Sequence, residues 1–136
     1  MRWFDNIVVA LAGVLYGAAT AFAGDMAATC PSVLKEESLR PGTGIAGWQT
    51  IPMQQHLVGA GMMDGAPETE SYRMPDKESK GRQTFEFAKG EGQRWLWCLY
   101  GGMRLAKRLD DNAVTCTITT TTKKPENTVM SAVACK

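Results

Sequence analysis

The chain has 136 residues and a net charge of +1, from 15 basic and 14 acidic side chains. At that length it holds one domain with a modest core, and at that charge nothing global draws it to nucleic acid or to an anionic membrane. One histidine and 4 cysteines narrow the chemistry further.

Residues 1–23 read as a secretory signal peptide: Arg2 in a short leader, an apolar run from Ile7 to Tyr16, then Ala21-Phe22-Ala23 as a small-residue cleavage site. The run contains Gly13 and Gly17 and falls short of the roughly 20 apolar residues that span a bilayer. Asp5 offsets Arg2, which weakens the leader. Thr29 and Ala27 before Cys30 do not suit a lipidation signal. No later segment is long and apolar enough to cross a membrane. The mature chain, residues 24–136, is a single secreted domain that keeps the charge of +1 after losing Arg2 and Asp5.

All four cysteines, Cys30, Cys98, Cys116 and Cys135, fall in the mature part. An even count behind a signal peptide implies two disulfides in an oxidising compartment, here the periplasm. Zinc is the rival, but there is no Cys-x-x-Cys pair and His56 is the one histidine, so the ligand spacing is missing. No metal or other cofactor is expected.

Cys30-Pro31 opens the folded part. Ser32 is placed to cap a short helix through Lys35-Glu36-Glu37. Pro41-Gly42-Thr43-Gly44 is a loop. Trp48 to Met53 suits a strand that ends or edges at Pro52. Leu57 to Met63 is an apolar run broken by Gly59 and Gly61, and Asp64-Gly65-Ala66-Pro67 turns the chain. Residues 66–82 are polar, contain Pro75 and read as a long surface loop, which in a compact domain is functional or mobile. Gln83 to Lys89 alternates, with Phe85 and Phe87 on one face.

Trp95-Leu96-Trp97-Cys98-Leu99-Tyr100 is the core strand, apolar on both faces, and Gly101-Gly102 suits a hairpin turn needing positive φ. Met103 to Leu109 returns, with Met103, Leu105 and Leu109 on one parity. Asp110-Asp111-Asn112 turns into a Thr-rich strand, Val114 to Thr121. Lys123-Lys124-Pro125-Glu126-Asn127 turns into a last strand, Thr128 to Cys135. The expected fold is mainly β: an antiparallel meander in a small disulfide-stapled sandwich or partly open barrel. Since the core strand is apolar on both faces, a second layer is expected over its far side, with the N-terminal strands as candidates.

Register within such a meander discriminates among the disulfide pairings. The Gly-Gly hairpin sets Cys98 opposite Leu105, and the next turn sets Cys116 opposite Leu105 or Ala106. Cys98 and Cys116 then lie two strands apart, about 9.6 Å, beyond the roughly 4.4–6.8 Å that a disulfide spans. The turn at 123–127 brings Cys135 beside Cys116. The favoured pairs are Cys30–Cys98 and Cys116–Cys135.

Cys30-Pro31, Met63-Asp64-Gly65-Ala66-Pro67-Glu68, Met74-Pro75, the Trp95-x-x-Cys98-x-Tyr100 strand, Leu105, Leu109 and Cys116 together resemble a family of small, uncharacterised secreted proteins of Gram-negative bacteria. The resemblance implies a periplasmic location and brings no activity and no catalytic residues. Phe85 stands where that pattern has a Trp.

Catalytic constellations are sparse. His56 lies beside Gln54-Gln55 without a nucleophile or orienting group in sequence reach. Glu68 with Glu70 and Asp110 with Asp111 are paired acids in loops and turns, not carboxylates held across a cleft. Gly59-x-Gly61 lacks the setting of a phosphate loop. A non-enzymatic periplasmic binding domain, of the inhibitor, immunity or envelope accessory type, is the leading reading. Its partner would be another periplasmic or envelope protein. The alternatives are a small periplasmic hydrolase and a carbohydrate-binding module using Trp48, Trp95 and Trp97, although aromatics at strand spacing more often belong to a core. The candidate binding loop carries Asp64, Glu68, Glu70 and Arg73. A row of Thr117, Thr119 and Thr121 offers a second, blander surface.

Overall fold

The computed structural model describes residues 23–36, 39, 46, 51 and 53–136. The leader up to Phe22, the loop at 41–44 and most of the strand expected from Trp48 to Met53 lie outside the described residues, as does Glu37.

Ten strands follow in order among the described residues: β1 (Ala27–Thr29), β2 (Val33–Leu34), β3 (Gln55–Met63), β4 (Tyr72–Arg73), β5 (Lys77–Ser79), β6 (Arg82–Glu86), β7 (Trp95–Tyr100), β8 (Met103–Arg108), β9 (Thr115–Lys123) and β10 (Thr128–Cys135). They form two sheets in which every pairing is antiparallel. The first runs β1-β10-β9-β6-β5. The second runs β2-β3-β7-β8, with β4 also paired to β3. Neither sheet closes into a barrel, and two disulfides staple the chain. The fold class is the one the composition and turn spacing imply.

Side-chain alternation explains the core between the sheets. Leu96, Cys98 and Tyr100 on β7 are buried, while Trp95, Trp97 and Leu99 on the other face are half-buried. Cys116 and Ile118 on β9 and Val133 on β10 are buried. Together with Leu57, Met62, Phe85, Phe87 and Leu109 they make one apolar cluster. Buried Ser131 shares a 2.8 Å hydroxyl contact with Thr120, which satisfies it.

Strand order departs from a single meander. β7–β8 and β9–β10 are hairpins as expected, but β6 pairs with β9 and not with β7, and β8 does not pair with β9. The chain changes sheet over 87–94 and again over 109–114. Cys116 therefore lies opposite Phe85 and Cys135, not opposite Leu105. Cys98 lies between Ala60 and Leu105. The register argument against a Cys98–Cys116 bond thus assumed the wrong neighbour, because turn spacing cannot distinguish a hairpin from a crossover between layers. Cys30 bonds Cys98 and so links the segment after β1 to the opposite sheet. Cys116 bonds Cys135 across β9 and β10.

Two local expectations also change. Val33–Leu34 pairs with Gln55 and His56 of β3 as a strand, so Ser32 caps no helix directly; of the helix expected through Lys35-Glu36-Glu37, Glu36 has 3-10 geometry and Glu37 lies outside the described residues. Residues 66–82 are not one loop. They hold a 3-10 turn at Pro67–Thr69, β4 on one sheet and β5 in a hairpin with β6 on the other.

Non-reduced peptide mapping is expected to return Cys30–Cys98 and Cys116–Cys135. Replacing Cys30 and Cys98 together by Ser should lower stability by about 2–4 kcal/mol, because that loop restricts the unfolded chain. A mapped Cys98–Cys116 linkage would contradict the topology.

Candidate functional site

The two sheet-changing segments meet around Phe87. The Arg73 guanidinium lies 4.6 Å from the centre of the Phe87 ring and that of Arg94 lies 4.7 Å from it. Arg94 is buried, with 1% of its surface exposed. Its Nε donates to the carbonyl of Ala113 at 3.0 Å and a second nitrogen donates to that of Ala88 at 3.1 Å. It also donates to Gly92 O. One arginine thus ties the 87–94 segment to the 109–114 segment. A buried cation needs such acceptors, since leaving it unpaired costs several kcal/mol.

Arg73 is the second clasp. It donates to Asp64 at 3.0 Å and to Glu91 at 2.8 Å, lies 3.9 Å from Asp76 and reaches Glu86 O. Burial works against its charge, but the bonds to Asp64 and Glu91 outweigh that and raise its pKa above the ordinary arginine value. Glu91 accepts the Ala88 backbone N–H at 2.6 Å, and that bond, followed by the one from Arg73, lowers its pKa below the usual 4.5. The Tyr100 phenol, raised by burial, donates to Pro31 O at 2.6 Å and anchors the N-terminal segment beside Cys30.

Strand alternation turns Tyr72, the neighbour of Arg73 on β4, to the opposite face. There it meets the outer side of the sheet. The register places Gly61, Trp97 and Ala106 in one row and Gly59, Leu99 and Arg104 in the next. Tyr72 contacts Trp97 edge-to-face at 6.0 Å between ring centres. Arg104 lies 4.7 Å over Tyr72 and 5.6 Å from the Trp97 ring, and donates to the Tyr72 hydroxyl at 2.8 Å. Gly61 makes room for the indole: a Cβ there would sit 2.3 Å from Trp97 Cζ2. The Trp97 N–H is buried without an acceptor among the described residues. A shallow depression of about 450 Å³ opens over this face, lined by Met63, Pro67, Tyr72, Trp97, Leu99 and Arg104 among others. On β3, Val58, at the register irregularity between Leu57 and Gly59, is 61% exposed.

Among the described residues no second layer covers this face, so Trp97 is not the closed core residue its strand spacing suggests. Trp95 is half-buried, with its N–H on Gln93 at 2.8 Å, and Trp48 lies outside the described residues. The proposed loop is divided. Glu68 and Glu70 are exposed on the turn beside the depression, whereas Asp64 and Arg73 belong to the ion cluster. His56 is exposed on β3 near Gln54. Asp110 accepts the Asn112 N–H in its turn, and Asp111 pairs with Arg108 at 2.6 Å. Among the described residues no group of three or more His, Cys, Asp or Glu is placed to hold a metal. Thr117 and Thr119 line a flat depression with Arg82, Ala132 and Ala134 on the other sheet. Tyr72 and Arg104 were not singled out from sequence: a Ser-Tyr-Arg in a polar stretch and an Arg after Gly-Gly carry no local signal.

Arg73→Ala should lower stability by about 2 kcal/mol, since it strands partly buried acceptors, while Glu68→Ala and Glu70→Ala stay within about 0.5 kcal/mol. The carboxylate of Glu91 contributes stability that is present above its ordinary value of 4.5 and lost as pH falls through its lowered folded value. In acid titrations of stability, Glu91→Gln should remove that part of the pH dependence. An unchanged acid limb would contradict the cluster.

A family model described as type VI secretion system Tli immunity protein matches residues 52–136. No curated protein and no solved structure was found to match. The match begins after Cys30-Pro31, so the Cys-Pro start takes no part in it. The matched region is more than half of the chain, and the chain belongs to the type VI secretion system Tli immunity protein family.

Proposed function

We propose that this chain is exported to the periplasm and protects its own cell by binding a type VI effector there and neutralising it. The observation that carries this reading is the family match across residues 52–136, which covers β3 to β10. Immunity implies stoichiometric binding of a toxin, not turnover, and the molecule is suited to that. Two disulfides make a rigid small scaffold, and bonds of this kind persist in oxidising compartments. The outer face of the second sheet offers Trp, Tyr and Arg side chains, the residue types over-represented where binding energy concentrates. Residues 1–23 supply the export signal. Under this reading the chain has no catalytic residue and no cofactor.

Co-expression with a type VI effector that harms cells lacking this chain should yield a complex that survives gel filtration, with a Kd of about 10 nM or tighter, as specific inhibitor complexes of standard size achieve. Removing residues 1–23 should leave binding by purified protein unchanged but abolish protection of cells that receive the effector in the periplasm. Absence of any complex at micromolar concentrations would overturn the reading.

A further inference from the structure

We propose that the effector docks on the outer face of the β2-β3-β7-β8 sheet, centred on Trp97, Tyr72 and Arg104, and that this face takes an effector segment carrying a carboxylate next to an apolar side chain. The proposal rests on the immunity reading and adds to it the surface and the chemistry of the segment.

Three observations carry it. The face has an apolar floor: Leu99, Trp97 and Met63 line the depression. Gly61 has no side chain, so the Trp97 indole of that floor lies directly on β3.

The second is charge. Arg73 and Arg108 are in ion pairs and Arg94 is satisfied by carbonyls. Arg104 is held over two aromatic rings by a single bond to a hydroxyl, with no carboxylate in ion-pair range among the described residues. A guanidinium has five donors in a planar fork that matches a carboxylate at two points. Stacking already fixes this one, so little side-chain freedom is lost when an anion arrives. Glu68 and Glu70, on the turn whose Pro67 lines the depression, repel a carboxylate from that end and direct it to Arg104.

The third is rigidity. Tyr72 is held from behind by the Arg73 clasp and Trp97 is seated on Gly61. Aromatic anchors placed before binding, beside a charge that a partner would cover, are the usual centre of a tight interface.

The test uses residues 24–136 and the purified type VI effector against which the chain protects, with affinity measured by calorimetry. Arg104→Glu should weaken binding by about 30-fold or more, the usual cost of a broken interfacial charge pair. Ala106→Arg, which puts a long side chain beside Trp97, should weaken it similarly. Thr119→Arg on the opposite sheet should leave it within about 3-fold, as substitutions outside an interface do. These sites are exposed, so all three proteins should melt within a few degrees of the parent. A Lys in place of one effector carboxylate should restore binding to Arg104→Glu. If the parent chain binds and both Arg104→Glu and Ala106→Arg bind as well, the docking face is wrong and the immunity reading stands. Loss with Ala106→Arg alone overturns the carboxylate. If the parent chain itself does not bind, the immunity reading falls and takes this proposal with it.

Discussion

Two arginines on one phenylalanine hold this molecule in its topology. The chain leaves one sheet after β6 and returns to it before β9, so two segments without strand pairing of their own must run side by side at the end of the sandwich. Arg94 accepts burial because carbonyls from both segments surround its guanidinium, and the Phe87 ring adds a cation–π contact. Such a contact is worth about 2 kcal/mol when desolvated. Arg73 closes the same ring from β4. Phe87 N–H donates to Val114 O at 2.8 Å and Leu109 N–H to Arg94 O at 2.8 Å, so the backbone of the two segments is paired as well.

The same clasp sets the outer face. β4 has only two residues, with pairings to Met62 and Met63. A strand that short contributes little on its own. Its position is secured because Arg73 reaches inward to Asp64 and Glu91, and alternation then sends Tyr72 outward onto Trp97. Gly61 completes the arrangement from below. The ion cluster is thus structural, and its role in recognition is to place an aromatic ring that sits one residue away and on the other side of the sheet.

Legibility in the sequence followed the range of each signal. The core strand and its Gly101-Gly102 hairpin, the β9–β10 pair and the alternation of Phe85, Cys116 and Ile118 come from local period and turn chemistry, and these are read directly. Whether consecutive strands pair or change sheet is decided by burial of Phe87, Arg94, Leu109 and Ala113, which no local pattern marks. An arginine in a Gly-Gln-Arg stretch looks solvated, and only the converging carbonyls make it a core residue. Residues 66–82 are polar because β4 and β5 are short edge strands whose side chains, the clasped Arg73 aside, face solvent, and polarity without period resembles a loop. Trp97 had the spacing of a core residue because it does pack, but on glycine, tyrosine and arginine at an open face.

Hydrogen–deuterium exchange on the chain with and without its effector tests the central claim most directly. The account predicts slowed exchange on binding in β4, β7 and β8 and around Val58 to Gly61. The Thr-rich strand β9 and the last strand β10 should change little. Protection confined to β9, β10 and β5, with β7 and β8 unchanged, would contradict it.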